Sequence, residues 1–166
     1  EIKFYSMDLK AKRVLLTGGT GFIGRNLISM LKEEGAVILN ISRGKKIEGV
    51  INIEADLTKT DFSFLDNEHI DYAVHLAAFS SPKRSKDIEK VNELNVDSTV
   101  RLFSKLKNKQ LKKAIFMSSI VVYEGSPHPL SENFPLENNP SLYAKSKIEA
   151  ERNLNALLPD NFPLIT

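Results

Sequence analysis

The sequence has 166 residues, 42% hydrophobic and 27% charged, enough for one domain that buries roughly 70% of the surface its unfolded chain would expose. Its 23 basic and 21 acidic residues leave a net charge of +2 spread along the chain, unlike the clustered basic face of a nucleic-acid binder, and no apolar run approaches the roughly 20 residues of a membrane span. The absence of cysteine excludes disulfides and thiolate metal sites, and the N-terminus lacks the segments of a secretory signal, so a cytoplasmic address is expected.

Residues 1–12 read as an N-terminal extension, and residues 13–166 as a single domain in which strand-length apolar runs alternate with amphipathic stretches of helix length. The first strand runs from Arg13 to Leu16. From Phe22 to Glu34, the residues Phe22, Ile23, Leu27, Met30 and Leu31 recur at helical spacing, and Gly35 ends that helix. Val37 to Ile41, Val50 to Ile53, Tyr72 to Leu76 and Ala114 to Met117 are short β-branched or aliphatic runs bounded by turn residues, expected as buried strands of a parallel sheet. Helical patterns from Ile88 to Lys107 and from Ser141 to Leu158 flank the fifth strand, and Phe162 to Thr166 begin a sixth. The fold class is α/β, a three-layer doubly wound sheet.

Between the first strand and first helix lies Thr17-Gly18-Gly19-Thr20-Gly21-Phe22-Ile23-Gly24, with glycines at G-x-G-x-x-G and G-x-x-G-x-x-G spacings. A tight turn, the approach of a pyrophosphate to bare backbone and the close packing of helix on strand all call for glycine there. The helix N-terminus adds oriented N–H groups for the anion. A glycine cluster by itself is equally a flexible turn, and its place after a strand and before a helix turns the reading toward a dinucleotide site.

This run resembles the glycine signature of extended short-chain dehydrogenases/reductases, the superfamily of nucleoside-diphosphate-sugar epimerases and dehydratases, and further signatures follow in order to the end of the sequence. The resemblance implies a Rossmann-type fold and a cofactor-binding set of Gly18, Gly21, Phe22, Ile23, Gly24, Ser42, Arg43, Asp56, Leu57, Leu76, Ala77, Ala78, Asn95, Tyr143 and Lys147. Within that set, Asp56-Leu57 matches the acidic position that meets the adenine amino group. His75-Leu76-Ala77-Ala78 matches the segment beneath the cofactor, and Asn95 matches the family's helix asparagine. Ser118-Ser119 with Val122-Tyr123 matches the serine-bearing strand end, and Tyr143-Ala144-Lys145-Ser146-Lys147 supplies the Y-x-x-x-K pair.

Residues four apart on a helix share a face, so Tyr143 and Lys147 can address one bound cofactor. A phenol titrating near 10 is a poor base at neutral pH, but an adjacent ammonium and a nicotinamide cation favour its phenolate, which makes Tyr143 the candidate general acid/base. The resemblance implies that Lys147 also bonds the nicotinamide ribose and that Ser119 holds the substrate hydroxyl or carbonyl. Alone, a Y-x-x-x-K spacing is an ordinary amphipathic helix surface; Ser119 at a strand's C-terminal end, where open α/β sheets bind ligands, favours the catalytic set. No metal site is expected. His75 ends an apolar strand, His69 and His128 lack ligand spacing, Lys83-Arg84 and Lys112-Lys113 read as solvated surface, and Glu132 is given no chemistry. Asn95 in its amphipathic helix can equally serve to satisfy buried backbone.

Two departures from the family pattern carry information. NAD-specific members end the second strand with an acidic residue for the ribose 2′-hydroxyl, whereas here Ser42 is followed by Arg43, Lys45 and Lys46. Loss of the carboxylate removes repulsion of a 2′-phosphate and an arginine can grip it, so NADP is favoured over NAD; NAD held by other contacts is the alternative. The 4,6-dehydratases carry an Asp-Glu pair directly after the position of Ser119, where this sequence has Ile120-Val121, leaving epimerase or keto-reductase chemistry. Glu124 also replaces a glycine common after the preceding tyrosine.

Family members continue beyond this length into further strands and a C-terminal lobe that recognises the sugar nucleotide, so the sequence is expected to be the N-terminal part of a longer, homodimeric protein, the alternative being a naturally shortened one whose catalytic residues lack a substrate pocket. Stopping at the sixth strand is expected to leave apolar surface uncovered and to promote self-association or marginal stability. The leading expectation is an NAD(P)-dependent epimerase or reductase of nucleoside-diphosphate sugars. The alternatives are a non-catalytic dinucleotide-binding or redox-sensing module, which would have no need of Ser119, Tyr143 and Lys147 together, and a structural remnant that binds nothing.

Overall fold

The computed structural model describes residues 8–80, 87–125 and 129–166. Residues 1–7, the Lys83-Arg84 pair and His128 lie outside the described residues. Six strands pair in parallel in the order β3-β2-β1-β4-β5-β6, built from β1 (Arg13–Thr17), β2 (Val37–Ser42), β3 (Ile51–Glu54), β4 (Tyr72–His75), β5 (Lys113–Phe116) and β6 (Leu164–Ile165). The order reverses between β1 and β4, the switch point at which doubly wound sheets bind ligands beyond their strand ends.

Each sheet face has its own core. On one, Val14, Leu16 and Ile38 pack under Ile28 and Leu31 of α1 (Phe22–Glu33). On the other, Leu15, Leu39, Ala114 and Phe116 pack under Leu102, Phe103 and Leu106 of the helix 88–106, here α2, and under Ala150 and Leu154 of α3 (Leu142–Leu157). Alternate residues of β1 thus enter opposite cores, and for this reason the strand reads as an unbroken apolar run. Gly35 closes α1 at φ +71°, with its N–H donating to the Lys32 carbonyl at 3.0 Å and the Ala36 N–H reaching back to Leu31 at 2.9 Å.

Two features depart from the sequence reading. β3, expected to be buried, is an edge strand with Ile51 47% exposed, because the link 43–50 carries no helix to cover it. α2 is not uniformly α-helical: Ile88–Val91 and Ser98–Leu106 flank a π-helical turn at Asn92–Asp97. Carbonyls of that turn are met by hydroxyls one turn on, Ser98 donating to Leu94 at 2.6 Å and Thr99 to Asn95 at 2.9 Å. Glu124, in the glycine position, sits without left-handed backbone and donates its N–H to the Pro135 carbonyl at 3.0 Å, beside the antiparallel bridge of Tyr123 with Leu136.

Candidate active site

At the β1–α1 turn the glycines do separate jobs. A Cβ on Gly18 would lie 2.7 Å from the Ala77 backbone nitrogen, and one on Gly24 would lie 2.3 Å from the Gly18 carbonyl oxygen, so both glycines permit backbone to pack on backbone. Gly21 is different: its φ of −75° is ordinary, and a Cβ there would touch only the Gly18 oxygen at 3.2 Å. It is the N-cap of α1, with no capping side chain and no acidic residue in the first turn, so the helix presents bare amides outward. Phe22 follows with its ring 86% exposed.

Two clefts meet over this turn and share Gly18, Gly21, Leu76 and Ala78. The first, about 290 Å³, is walled by Ser42 and Arg43 from the end of β2, by Asp56, Leu57 and Thr58, and by Ala77 and Leu94. Asp56 Oδ1 accepts from the Thr58 N–H at 3.0 Å and from its hydroxyl at 2.9 Å, which hold the carboxyl below its usual range. Ser42 donates its hydroxyl to the Lys45 carbonyl at 2.9 Å, shaping the turn that carries Arg43.

The second cleft, about 440 Å³, adds Phe22, Ile23 and Gly24 to Met117, Ser118, Ser119, Tyr143 and Lys147. Ser141 caps α3, its Oγ accepting from the Ala144 N–H at 3.2 Å, and the helix then turns Tyr143 and Lys147 to the same side. The Lys147 ammonium donates to the Met117 carbonyl at 2.7 Å and stands 4.6 Å from the Phe116 ring centroid and 5.9 Å from that of Tyr143. Burial pushes its pKa down to about 8, against the opposing pull of Glu151. Ser119 caps the 3₁₀ turn Ile120–Val122 at the end of β5. The glycine turn, the serine strand end and the Tyr-Lys face therefore border one space.

His75 and Asn95 stand behind these walls. His75 is buried, Nδ1 lying 2.6 Å from the Thr17 hydroxyl and Nε2 2.9 Å from that of Thr99; both ring nitrogens are committed, and burial drives its pKa down to about 3. Asn95, expected among the cofactor contacts, is fully buried: Oδ1 accepts from the Phe79 N–H at 2.7 Å, and Nδ2 donates to the Phe79 carbonyl at 3.2 Å and to Ser146 at 2.9 Å. It fixes the 76–80 wall from behind, and Leu94 takes the lining position. His69 is exposed and pairs with Asp71. The sequence reading missed Thr20, Thr58 and Leu94 as lining residues, and missed Glu151, whose carboxylate accepts from Ser118. Only Glu151 had a readable signal, since it repeats the four-residue step from Tyr143 through Lys147.

A doubly wound sheet with a bare helix N-terminus at its switch point and two confluent clefts has the architecture of the Rossmann-like α/β domains. The cradle suits the pyrophosphate of a dinucleotide, since Gly21, the cap of α1 with no side chain, lines both clefts. The chain belongs to the NAD dependent epimerase/dehydratase family, which it matches over residues 14–161. Among relatives, a UDP-glucose 4-epimerase of Vibrio cholerae is 32% identical over 162 residues, covering 90% of this chain and 48% of its own. A UDP-N-acetyl-alpha-D-glucosaminuronate decarboxylase of Bacillus cytotoxicus is 37% identical over 134 residues, covering 74% and 41%. The solved structure of MoeE5 in complex with UDP-glucose and NAD matches with a TM-score of 0.77 at 27% identity, covering 93% of this chain and 52% of that one. The chain thus spans about half the length of the relatives it matches. No helix among the described residues is long and apolar enough to cross a membrane.

Proposed function

We propose that this chain is the cofactor-binding and proton-transfer part of an NAD(P)-dependent epimerase or reductase acting on a nucleoside-diphosphate sugar. The observation that carries the reading is the single cleft bordered by Gly21, Ser119, Tyr143 and Lys147. The bound nicotinamide would supply the hydride acceptor or donor. Tyr143 moves the proton of the reacting sugar hydroxyl or carbonyl, Ser119 orients that oxygen, and the Lys147 ammonium favours negative charge on the phenol oxygen. The amides at the start of α1 receive the pyrophosphate.

Relatives of this chain include epimerases, 4,6-dehydratases, a decarboxylase and a reductase, so likeness alone does not select the reaction. Ile120, 66% exposed beside Ser119, and Val121 offer no acid or base where a 4,6-elimination needs one, which favours epimerase or reductase chemistry. MoeE5 and a UDP-glucuronic acid 4-epimerase from Bacillus cereus are solved with NAD. The cofactor preference of this chain is nonetheless proposed to be NADP, because Ser42 contributes no carboxylate and Arg43 lines the adenosine end.

Calorimetric titration of the chain with NADPH and NADH, repeated with Arg43→Asp, tests the cofactor: a preference for NADPH that reverses in the variant is expected, and equal or tighter NADH binding rejects NADP. In the whole protein, Tyr143→Phe is expected to abolish turnover of UDP- and dTDP-sugars while leaving cofactor affinity within a few-fold; retained turnover rejects Tyr143 as the acid/base.

A further inference from the structure

We propose that Glu151 is a positioning residue of this site: it holds Ser118, and with it the Ser119-bearing end of β5, against the face of α3 that carries Tyr143 and Lys147. This rests on the reading of Tyr143 and Lys147 given above. Ser118 Oγ donates to the Glu151 carboxylate, and one turn earlier on α3 the Lys147 ammonium donates to the Met117 carbonyl at 2.7 Å. Two consecutive residues of the strand end are therefore gripped by side chains four apart on one helix, and Ser119 is the next residue along. Ser119 also borders a further cleft, together with Ser118, Tyr123 and Glu151, on the side remote from the glycine turn. The clasp thus sits between the two spaces that Ser119 faces. Without the Glu151 contact, the hydrogen bond that still joins this strand end to the helix among the described residues is that of Lys147 to the Met117 carbonyl.

The same carboxylate acts on Lys147 through space. Burial among Phe116 and Met117 disfavours the ammonium, and Glu151 is the group that opposes this. Among the described residues the other titratable groups near the amine are Tyr143 on α3 and His75 on β4, and the lysine helps keep that imidazole neutral. Glu151 therefore biases the lysine toward the cation, the state in which it assists Tyr143.

The test follows the lysine ¹³Cε resonances of the 166-residue chain across pH, with Lys147 assigned by its disappearance in Lys147→Met, in wild type, Glu151→Gln, Glu151→Asp and Ser118→Ala. Glu151→Gln is expected to raise the ratio of amine to ammonium at a given pH roughly tenfold, and Glu151→Asp to restore most of the wild-type ratio. Ser118→Ala is expected to leave the ratio near wild type while sharing with Glu151→Gln a displaced Ser119 amide resonance. An unchanged Lys147 titration in Glu151→Gln, or a Ser119 amide that does not move in Ser118→Ala, overturns the proposal; should the glutamine variant not fold, the aspartate and alanine variants decide it. The underlying reading of Lys147 fails separately, when Lys147→Met leaves NADH and NADPH affinity untouched.

Discussion

Replacement of Lys147 by methionine is expected to make the fold more stable at neutral pH while weakening its hold on a dinucleotide. The amine is 2% exposed and titrates at about 8 instead of its usual 10.5, so below pH 8 both folded and unfolded chains carry its proton, and the folded chain bears the full cost of a buried charge. At about 1.4 kcal/mol per pKa unit, that cost is about 3 kcal/mol. Methionine removes it but leaves the Met117 carbonyl without its donor, a loss of about 1 kcal/mol. The net gain is about 2 kcal/mol at pH 7, or a rise in Tm of about 4–8 °C for a chain of this size. Between about pH 8 and 10.5 the folded chain releases the proton and the unfolded chain keeps it, so the cost fades as pH rises, to about 1 kcal/mol at pH 10, and the advantage of the variant disappears. Paired urea and thermal unfolding of both chains at pH 7 and pH 10 measures this. A variant no more stable than wild type at pH 7, or one whose advantage persists undiminished to pH 10, refutes the reasoning.

Gly21→Ala is expected to keep the fold at a modest cost in stability, because its Cβ would press one backbone oxygen at 3.2 Å, and to lower NAD(P)H affinity roughly tenfold or more in calorimetry; Gly24→Ala, with a Cβ 2.3 Å from backbone, is expected to lose the fold by circular dichroism. His75 is held neutral by burial, with its pKa lowered to about 3, so its contribution to stability is complete above about pH 6.5 and is lost as pH falls, by about 2 kcal/mol at pH 5. His75→Gln should flatten that acid limb in urea titrations between pH 7 and pH 5, and an unaltered limb would assign the acid sensitivity to other groups.

The layers of the fold were legible because each strand of the inner sheet faces two cores and each helix one. Unbroken apolar runs follow from that directly, in β1 most plainly; in α1 the helix was legible but its core face was not, since Phe22, Ile23 and Met30 of the expected stripe are exposed and Ile28 is buried. The glycine turn and the Tyr143–Lys147 face were legible for the same kind of reason, since their chemistry is tied to fixed local spacings. What the sequence hid depends on contacts far along the chain. Whether β3 is covered is decided by the absence of a helix in 43–50, not by the composition of Ile51–Glu54. The π turn of α2 leaves no periodic trace, because one added residue simply moves the apolar stripe, and its consequence, Asn95 bonded to Phe79 and Ser146, spans as many as 51 residues. Asn95, carried in the cofactor-binding set and equally read as satisfying buried backbone, is held by Phe79 and Ser146.

Two sets of buried polar groups in this domain differ in a way that bears on the proposed chemistry, apart from Asn40, whose side-chain amide is buried without a partner. His75, Asn95, Thr17 and Thr99 are satisfied by one another or by backbone, and they shape the walls at little electrostatic cost. Lys147 is not of that kind. Its carbonyl partner and its carboxylate neighbour leave its pKa depressed, so at neutral pH the domain carries a buried cation that a methionine would replace with profit to the fold. A passive dinucleotide-binding module would draw on that cation for the nicotinamide ribose alone, since the first cleft and the α1 amides already lie where the adenosine and pyrophosphate are proposed to sit. The cost is explained when the ammonium acts on something beside it, and what stands beside it is the Tyr143 ring, with Ser119 bordering the same cleft. Stability given up at one residue, next to a phenol and a hydroxyl, supports the proposed proton-transferring site.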